Sequence, residues 1–176
     1  KKPSQEGIVR CMILSGKVEK GLKQLAKLKS PKLTLECAKI LEKLNAFNQA
    51  ASLYTQVKEY NSAAQCFLRA GDMNMAYDIL PKVSDSRVLR LIGTQMEKNG
   101  MLEEAATAFE LSKEWDSLVR VLLKIDLDKA TIVAREHPTA DACRMVAEHC
   151  IQLCNYRFAI EFLFKSGKNS DAFKVA

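Results

Sequence analysis

A chain of 176 residues with 48% apolar and 27% charged side chains can build a folded core, and no apolar run approaches the roughly 18 residues that cross a bilayer. Six cysteines lie scattered, without the dense spacing of a small secreted disulfide scaffold and with no Asn-x-Ser/Thr sequon, which points to a reducing cytosolic compartment. The formal charge of +6 is uneven: residues 1–45 hold eleven Lys or Arg against four acids, so any electrostatic preference belongs to the N-terminal end.

The opening KKPSQEG lacks an initiator Met, and the following IVRCMILSG is too short and too interrupted for a signal peptide. We therefore expect an internal fragment of a longer chain. Next comes the basic stretch GKVEKGLKQLAKLKSPK from Gly16. Read as a helix, it sets Lys20, Lys23 and Lys27 on one side and Val18, Leu22 and Leu25 on the other. Those three lysines are the candidate partner-binding face, suited to an acidic protein, an anionic lipid or a nucleic-acid phosphate. Aromatic residues for base stacking are absent from this stretch, and a solvated flank is the plainer reading.

From Phe47 the chain repeats itself. FNQAASLY is echoed thirteen residues later by YNSAAQCF from Tyr60, then by MNMAYDIL from Met73. The same octet returns as LEEAATAF from Leu102, WDSLVRVL from Trp115, YRFAIEFL from Tyr156 and NSDAFKVA from Asn169. A helix of about ten residues plus a short connector consumes thirteen positions, so the echo predicts one short helix per octet. The small fourth residue (Ala50, Ala63, Ala76, Ala105, Ala159) lets a neighbouring backbone approach, and Trp115 at a first position reads as core. Connectors such as Lys58–Tyr60 and Ala70–Asp72 supply breaks, and Gly71 suits a left-handed helix end.

A longer period encloses the short one. ECAKILEKLNAFNQAASLY from Glu36 aligns with LIGTQMEKNGMLEEAATAF from Leu91 and with MVAEHCIQLCNYRFAIEFL from Met145, at spacings of fifty-five and fifty-four. Pro31, Pro81 and Pro138 fall near the joints. The expected fold is an all-α α-solenoid of right-handed, stacked antiparallel helices, about a dozen of them, with no strand. It forms a single segment over 1–176 with units of about 1–32, 33–86, 87–140 and 141–176. Even the β-branched TIVA at Thr131 reads as helix between charged helix formers.

Chemistry is sought along the chain without success. KSGKNS has a GK pair, but Phe162 stands where a phosphate loop needs glycine. Cys143, Cys150 and Cys154 read as one helical stripe, yet the outer two would stand roughly 16 Å apart at 1.5 Å per residue, too far for one zinc ion. Glu103 with Glu104, and Asp126 with Asp128, fall at helix starts where acids favour the dipole. His137 and His149 have no triad neighbours legible in sequence. No catalysis, no cofactor and no metal site are expected.

The aligned small and apolar positions resemble tetratricopeptide hairpins: Ala38, Leu41, Ala50 and Tyr54, then Gly93, Met96, Ala105 and Phe109, then Ala147, Cys150, Ala159 and Leu163. The thirteen-residue insertions and the lack of a thirty-four-residue period depart from that family. Over nearly the whole chain, the order ILEKLNAFNQAASLY, DILPKVSDS, EEAATAFELSKEWDSLVRVLL, DKATIVARE, YRFAIEFLFKSGKNSDAF is similar to the helical regions of intraflagellar transport complex A subunits. That resemblance implies a long subunit with N-terminal WD-repeat propellers whose solenoid binds other complex A subunits. It also implies retrograde ciliary transport, ciliary entry of membrane proteins, and residence in the cilium or flagellum, the basal body and the cytoplasm. It implies no small-molecule substrate, no specific nucleic acid, and membrane contact only through cargo. Vesicle-coat solenoids of coatomer or clathrin type share the architecture, and a basic helical-repeat RNA-binding module is the alternative from another class.

Overall fold

The computed structural model describes residues 4–175. Among them the regular structure is helical: α1 (Gln5–Leu14), α2 (Val18–Leu28), α3 (Pro31–Lys43), α4 (Phe47–Gln56), α5 (Tyr60–Ala70), α6 (Met73–Asp78), a 3₁₀ turn (Leu80–Lys82), α7 (Ser86–Lys98), α8 (Leu102–Ser112), α9 (Trp115–Ile125), α10 (Leu127–Glu136), α11 (Ala140–Gln152), α12 (Tyr156–Lys165) and α13 (Asn169–Val175). TIVA lies inside α10 as expected. The chain forms two compact units, Lys1–Val88 and Leu89–Ala176.

In the first unit α1 packs on α2 and on α3, α3 on α4, α4 on α5, and α5 on α6. In the second, α8 packs on α9, α9 on α10 and α11, α10 on α11, α11 on α12, and α12 on α13. Short connectors between packed neighbours force antiparallel directions, and the second-neighbour contacts (α1 with α3, α9 with α11) make stacks rather than separate hairpins. This is the all-α solenoid arrangement expected from the repeat.

The small fourth residues explain how the stacks close. Ala50, Ala63, Ala76, Ala105, Ala159 and Ala172 are all 0% exposed. With only a methyl group between them, adjacent helix backbones approach closely, and larger residues one or two turns away fill the core. Val9, Ile13, Leu33 and Leu41 do so in the first unit, and Phe109, Val119 and Phe162 in the second. The first octet position behaves differently from expectation. Phe47, Tyr60 and Trp115 are half-buried and Tyr156 is exposed, because the first residue of each short helix sits at the end of the packed face.

Each repeat is punctuated by backbone conformation. Positive φ occurs at Gly16 and Lys29, at Asn45, Lys58 and Gly71, at Gly100 and Lys113, and at Cys154 and Gly167. Within each group the spacing is thirteen. A left-handed residue ends the helix and turns its last N–H groups back onto carbonyls, as Gly71 N–H does to Leu68 O and Asp72 N–H to Phe67 O. Five of these positions are not glycine, so the fold tolerates a conformation costing roughly 1–2 kcal/mol for an L-residue.

One joint breaks the rule and accounts for the shorter second period. Between α5 and α6, Gly71 ends one helix and Asp72 caps the next, with Met75 N–H donating to its Oδ1 at 3.2 Å. Between α9 and α10 a single residue does both. Asp126 is extended (φ −154°), its N–H donates to Leu122 O, and its Oδ1 accepts from Lys129 N–H at 3.0 Å. One residue fewer at this joint turns fifty-five into fifty-four.

The cysteines divide by burial. Cys37, Cys66, Cys143 and Cys150 are buried, while Cys11 and Cys154 are exposed. Cys154 does not continue the stripe of Cys143 and Cys150: α11 stops at Gln152, and Cys154 is the left-handed turn residue with φ 57°. Burial, and then the Glu42 carboxylate, push the Cys66 thiol up to about 11. An unfolded thiol ionises near its ordinary value while the folded one stays neutral, so this group withdraws stability as pH rises from about 9 to 11. At pH 8, maleimide should modify Cys11 and Cys154 within minutes, with the other four reacting only on denaturation. Mass spectrometry showing rapid modification of Cys66 in the folded chain would contradict the packing described.

Candidate partner-binding surface

Helix α2 is built as the basic stretch requires. Gly21 and Leu25 are buried, Val18 and Leu22 are half-buried, and Lys20, Lys23 and Lys27 are exposed. Gly21 is fitted tightly: a Cβ there would stand 2.8 Å from Ile13 Cγ1, so α2 approaches α1 through this glycine. The three lysines share one face at spacings of three and four, and none pairs with a carboxylate among the described residues. Lys27 also overhangs a groove of about 410 Å³ that α1 and α2 form with Ile8, Met12 and Leu28.

Sequence reading missed a ridge of ion pairs linking each long helix to the short ones packed beside it. In the first unit Glu42 on α3 accepts from Tyr54 Oη at 3.0 Å and from Arg69 Nη1 at 2.9 Å. Burial first, and the Glu42 bond second, push the Tyr54 hydroxyl well above its ordinary value. Fifty-five residues on, Glu97 of α7 accepts from Arg120 Nη2 at 2.8 Å and Lys124 Nζ at 2.9 Å. Lys124 is the repeat equivalent of Arg69. Phe109 replaces Tyr54 and lacks its hydroxyl, and Arg120, where the earlier repeat has Gln65, supplies the second donor. The recurring EK dipeptides at Glu42 and Glu97 were the available sequence signal.

Glu97 is 15% exposed and its hydrogen bond to Arg120 holds its carboxyl below the ordinary range. A depressed carboxylate contributes stability above its unfolded pKa and loses it as pH falls through the folded one. Glu97→Gln should therefore cost about 1 kcal/mol at pH 7, and the difference from the parent chain should vanish below about pH 3. Urea titrations at the two pH values check this, and an equal deficit at both would remove the ion pair as its cause.

The remaining sequence candidates take structural places. Glu103 and Glu104 sit in the first turn of α8, and Asp128 in that of α10. Gly167 of the GK pair is a left-handed helix end at φ 78°. His137 stacks on Trp115 with ring centroids 3.6 Å apart and planes 6° from parallel. Beside them the Thr139 hydroxyl donates to Asp116, and its oxygen accepts from Ala142 N–H at 3.0 Å, capping α11. Among the described residues no three His, Cys, Asp or Glu side chains converge as metal ligands would.

Residues 21–176 match the family described as the IF-140/IFT172 TPR domain. The chain belongs to this family. The match begins within α2, so it includes Lys23 and Lys27 and starts one residue after Lys20. WD repeat-containing protein 19 of Homo sapiens and of Mus musculus are each 33% identical over 172 residues, covering 97% of this chain and 13% of theirs. WD repeat-containing protein dyf-2 of Caenorhabditis elegans is 30% identical over 174 residues, 98% of this chain and 13% of its own. The chain thus spans about an eighth of the curated relatives it matches. The family resemblance read from the sequence is the one found.

Proposed function

We propose that this chain is a scaffold segment of an intraflagellar transport complex A subunit, making protein contacts rather than performing catalysis. The observation that carries the reading is membership of the IFT172-type TPR domain family together with identity to WD repeat-containing protein 19 and dyf-2 along almost the full chain. Physically, stacked short helices give a long run of exposed faces and edges with few convergent chemical groups, which suits simultaneous contacts to several proteins. Its partners in this reading are other complex A subunits. Its place is the cilium or flagellum, the basal body and the cytoplasm, and its work is retrograde transport and ciliary entry of membrane proteins.

The unpaired basic face of α2 offers a contact for an acidic partner surface. Lys20, Lys23 and Lys27 act there by steering and register more than by affinity, as exposed charges do. The repeat units at about 1–32, 33–86, 87–140 and 141–176 are the modules that carry these contacts.

The test is a pull-down from ciliated cells with the intact subunit, with residues 1–176 deleted, and with Lys20, Lys23 and Lys27 changed to Glu. Deletion should remove complex A partners, and the triple change should remove at most one of them while the rest stay bound. Recovery of coatomer or clathrin adaptors, or of RNA that survives physiological salt, would overturn the assignment. An unchanged partner list after deletion would overturn the scaffold role.

A further inference from the structure

Within the second unit, α8, α9 and α10 leave an open groove of about 640 Å³ that no side chain of the unit fills. Its floor comes from α9, where Leu118 and Leu122 are buried. Ile125 and Ile132 line it from α9 and α10 and remain 41% and 51% exposed. The exposed acids Glu103 and Glu110 on α8 and Glu136 on α10 line it as well. Asp126, a fourth acid of the lining, is paired with Lys129 at 3.4 Å.

The three glutamates are unlike the other acids of their unit. Glu97 and Glu161 each hold two cations, Arg120 with Lys124 and Arg135 with Lys165. Glu103, Glu110 and Glu136 meet no cation among the described residues. Bare carboxylates beside two exposed isoleucines are unfavourable for the chain alone, through repulsion and hydrated apolar surface. An occupant that relieves both must present apolar side chains to Ile125 and Ile132 and cations to the glutamates. Glu103 and Glu110 are two turns apart on one face of α8, roughly 10 Å, which matches two turns of a docked helix. A nucleic acid or anionic lipid would meet like charge, and a purely apolar strand would leave the carboxylates desolvated without a partner.

We propose that the α8–α10 groove docks an amphipathic helix from a partner protein, one whose apolar stripe is flanked by Lys or Arg. This goes beyond the scaffold reading and does not depend on which assembly the chain serves. The helix lies with its apolar residues at i, i+3 or i+4, and i+7 over Ile125 and Ile132, and its cations reach outward to Glu103, Glu110 and Glu136.

The experiment uses the 176-residue chain and a fluorescein-labelled peptide of about 18 residues, with leucines at helical spacing flanked by lysines. Two control peptides carry glutamate in place of lysine, or the same residues scrambled so that no stripe forms. The lysine peptide should bind with an affinity that falls as salt rises, and neither control should. Methyl resonances of Ile125 and Ile132 should shift on titration. Changing Glu103, Glu110 and Glu136 together to Lys should weaken the lysine peptide by about tenfold or more and confer binding of the glutamate peptide. Ile132→Asp, a single exposed substitution, should weaken the lysine peptide while circular dichroism stays unchanged. Equal binding of the scrambled peptide, affinity within about twofold in the charge-reversed chain, or shifts confined to residues outside α8–α10 would each overturn the proposal.

Discussion

Truncating Phe109 to alanine should cost about 3–5 kcal/mol, the range for removing a buried aromatic ring. Phe109 is 0% exposed and heads the fully buried side chains by volume, at the last position of the octet LEEAATAF. The ring lies against α7, where only a glycine faces it, so no flexible side chain stands there to refill the space. The measurement has a built-in reporter: Trp115 is the only tryptophan of the chain and belongs to the same unit, its indole stacked on His137. Its fluorescence in a urea titration should report the lost stability directly. Phe173→Ala is the control, because that ring is 73% exposed and its removal should cost within about 0.5 kcal/mol. A Phe109→Ala cost no larger than that of Phe173→Ala would show that the ring is not the keystone of its layer.

The converse change, adding one methyl group at Gly93, should also destabilise. An ideal Cβ there would stand 2.9 Å from Phe109 Cε1 and 3.1 Å from Cδ1 and Cζ. Overpacking of this type costs about 1–3 kcal/mol, and the better helix propensity of alanine returns up to about 1 kcal/mol. A net loss of about 1–2 kcal/mol is expected for Gly93→Ala. The neighbouring repeats solve the same contact with other pairs: Ala38 with Tyr54, and Ala147 with Leu163, at the aligned positions. In a Phe109→Leu background, Gly93→Ala reproduces the Ala147 and Leu163 pairing and should become neutral or stabilising. The double-mutant cycle should therefore show a coupling of about 1–3 kcal/mol. Equal effects of Gly93→Ala in both backgrounds would mean that the ring and the glycine do not constrain each other.

The recurring octet is enough to place the seven helices that it opens, because its apolar and small positions are set by the 3.6-residue turn and by close backbone approach. Phe47, Tyr60, Met73, Leu102, Trp115, Tyr156 and Asn169 each begin a helix. What escapes sequence reading depends on neighbours rather than on local type. Lys58, Lys113 and Cys154 carry no sign of a left-handed backbone, since only glycine and asparagine advertise it. For that reason Cys154 reads in sequence as a continuing helix. The basic face of α2 is legible, being an amphipathic pattern on one element. The acid-lined groove of α8–α10 is not, because its character comes from three helices brought together and from which carboxylates the fold leaves without cations.

The recurring left-handed residue has a consequence for how such chains change in length. When each helix is closed by a turn at a fixed count, an added or lost residue inside a helix rotates every following side chain by about 100° and carries the small fourth position off the packed face. Insertions and deletions are then acceptable in whole modules of thirteen, or at joints where a different cap can take over. Asp126 marks such a joint. By serving as the end of α9 and the start of α10 it absorbs a one-residue deletion while α11 and α12 keep their phase. Homologous chains should accordingly differ in length by thirteens, with the odd single-residue differences gathered where an Asp, Ser or Thr can cap a helix that no left-handed residue precedes.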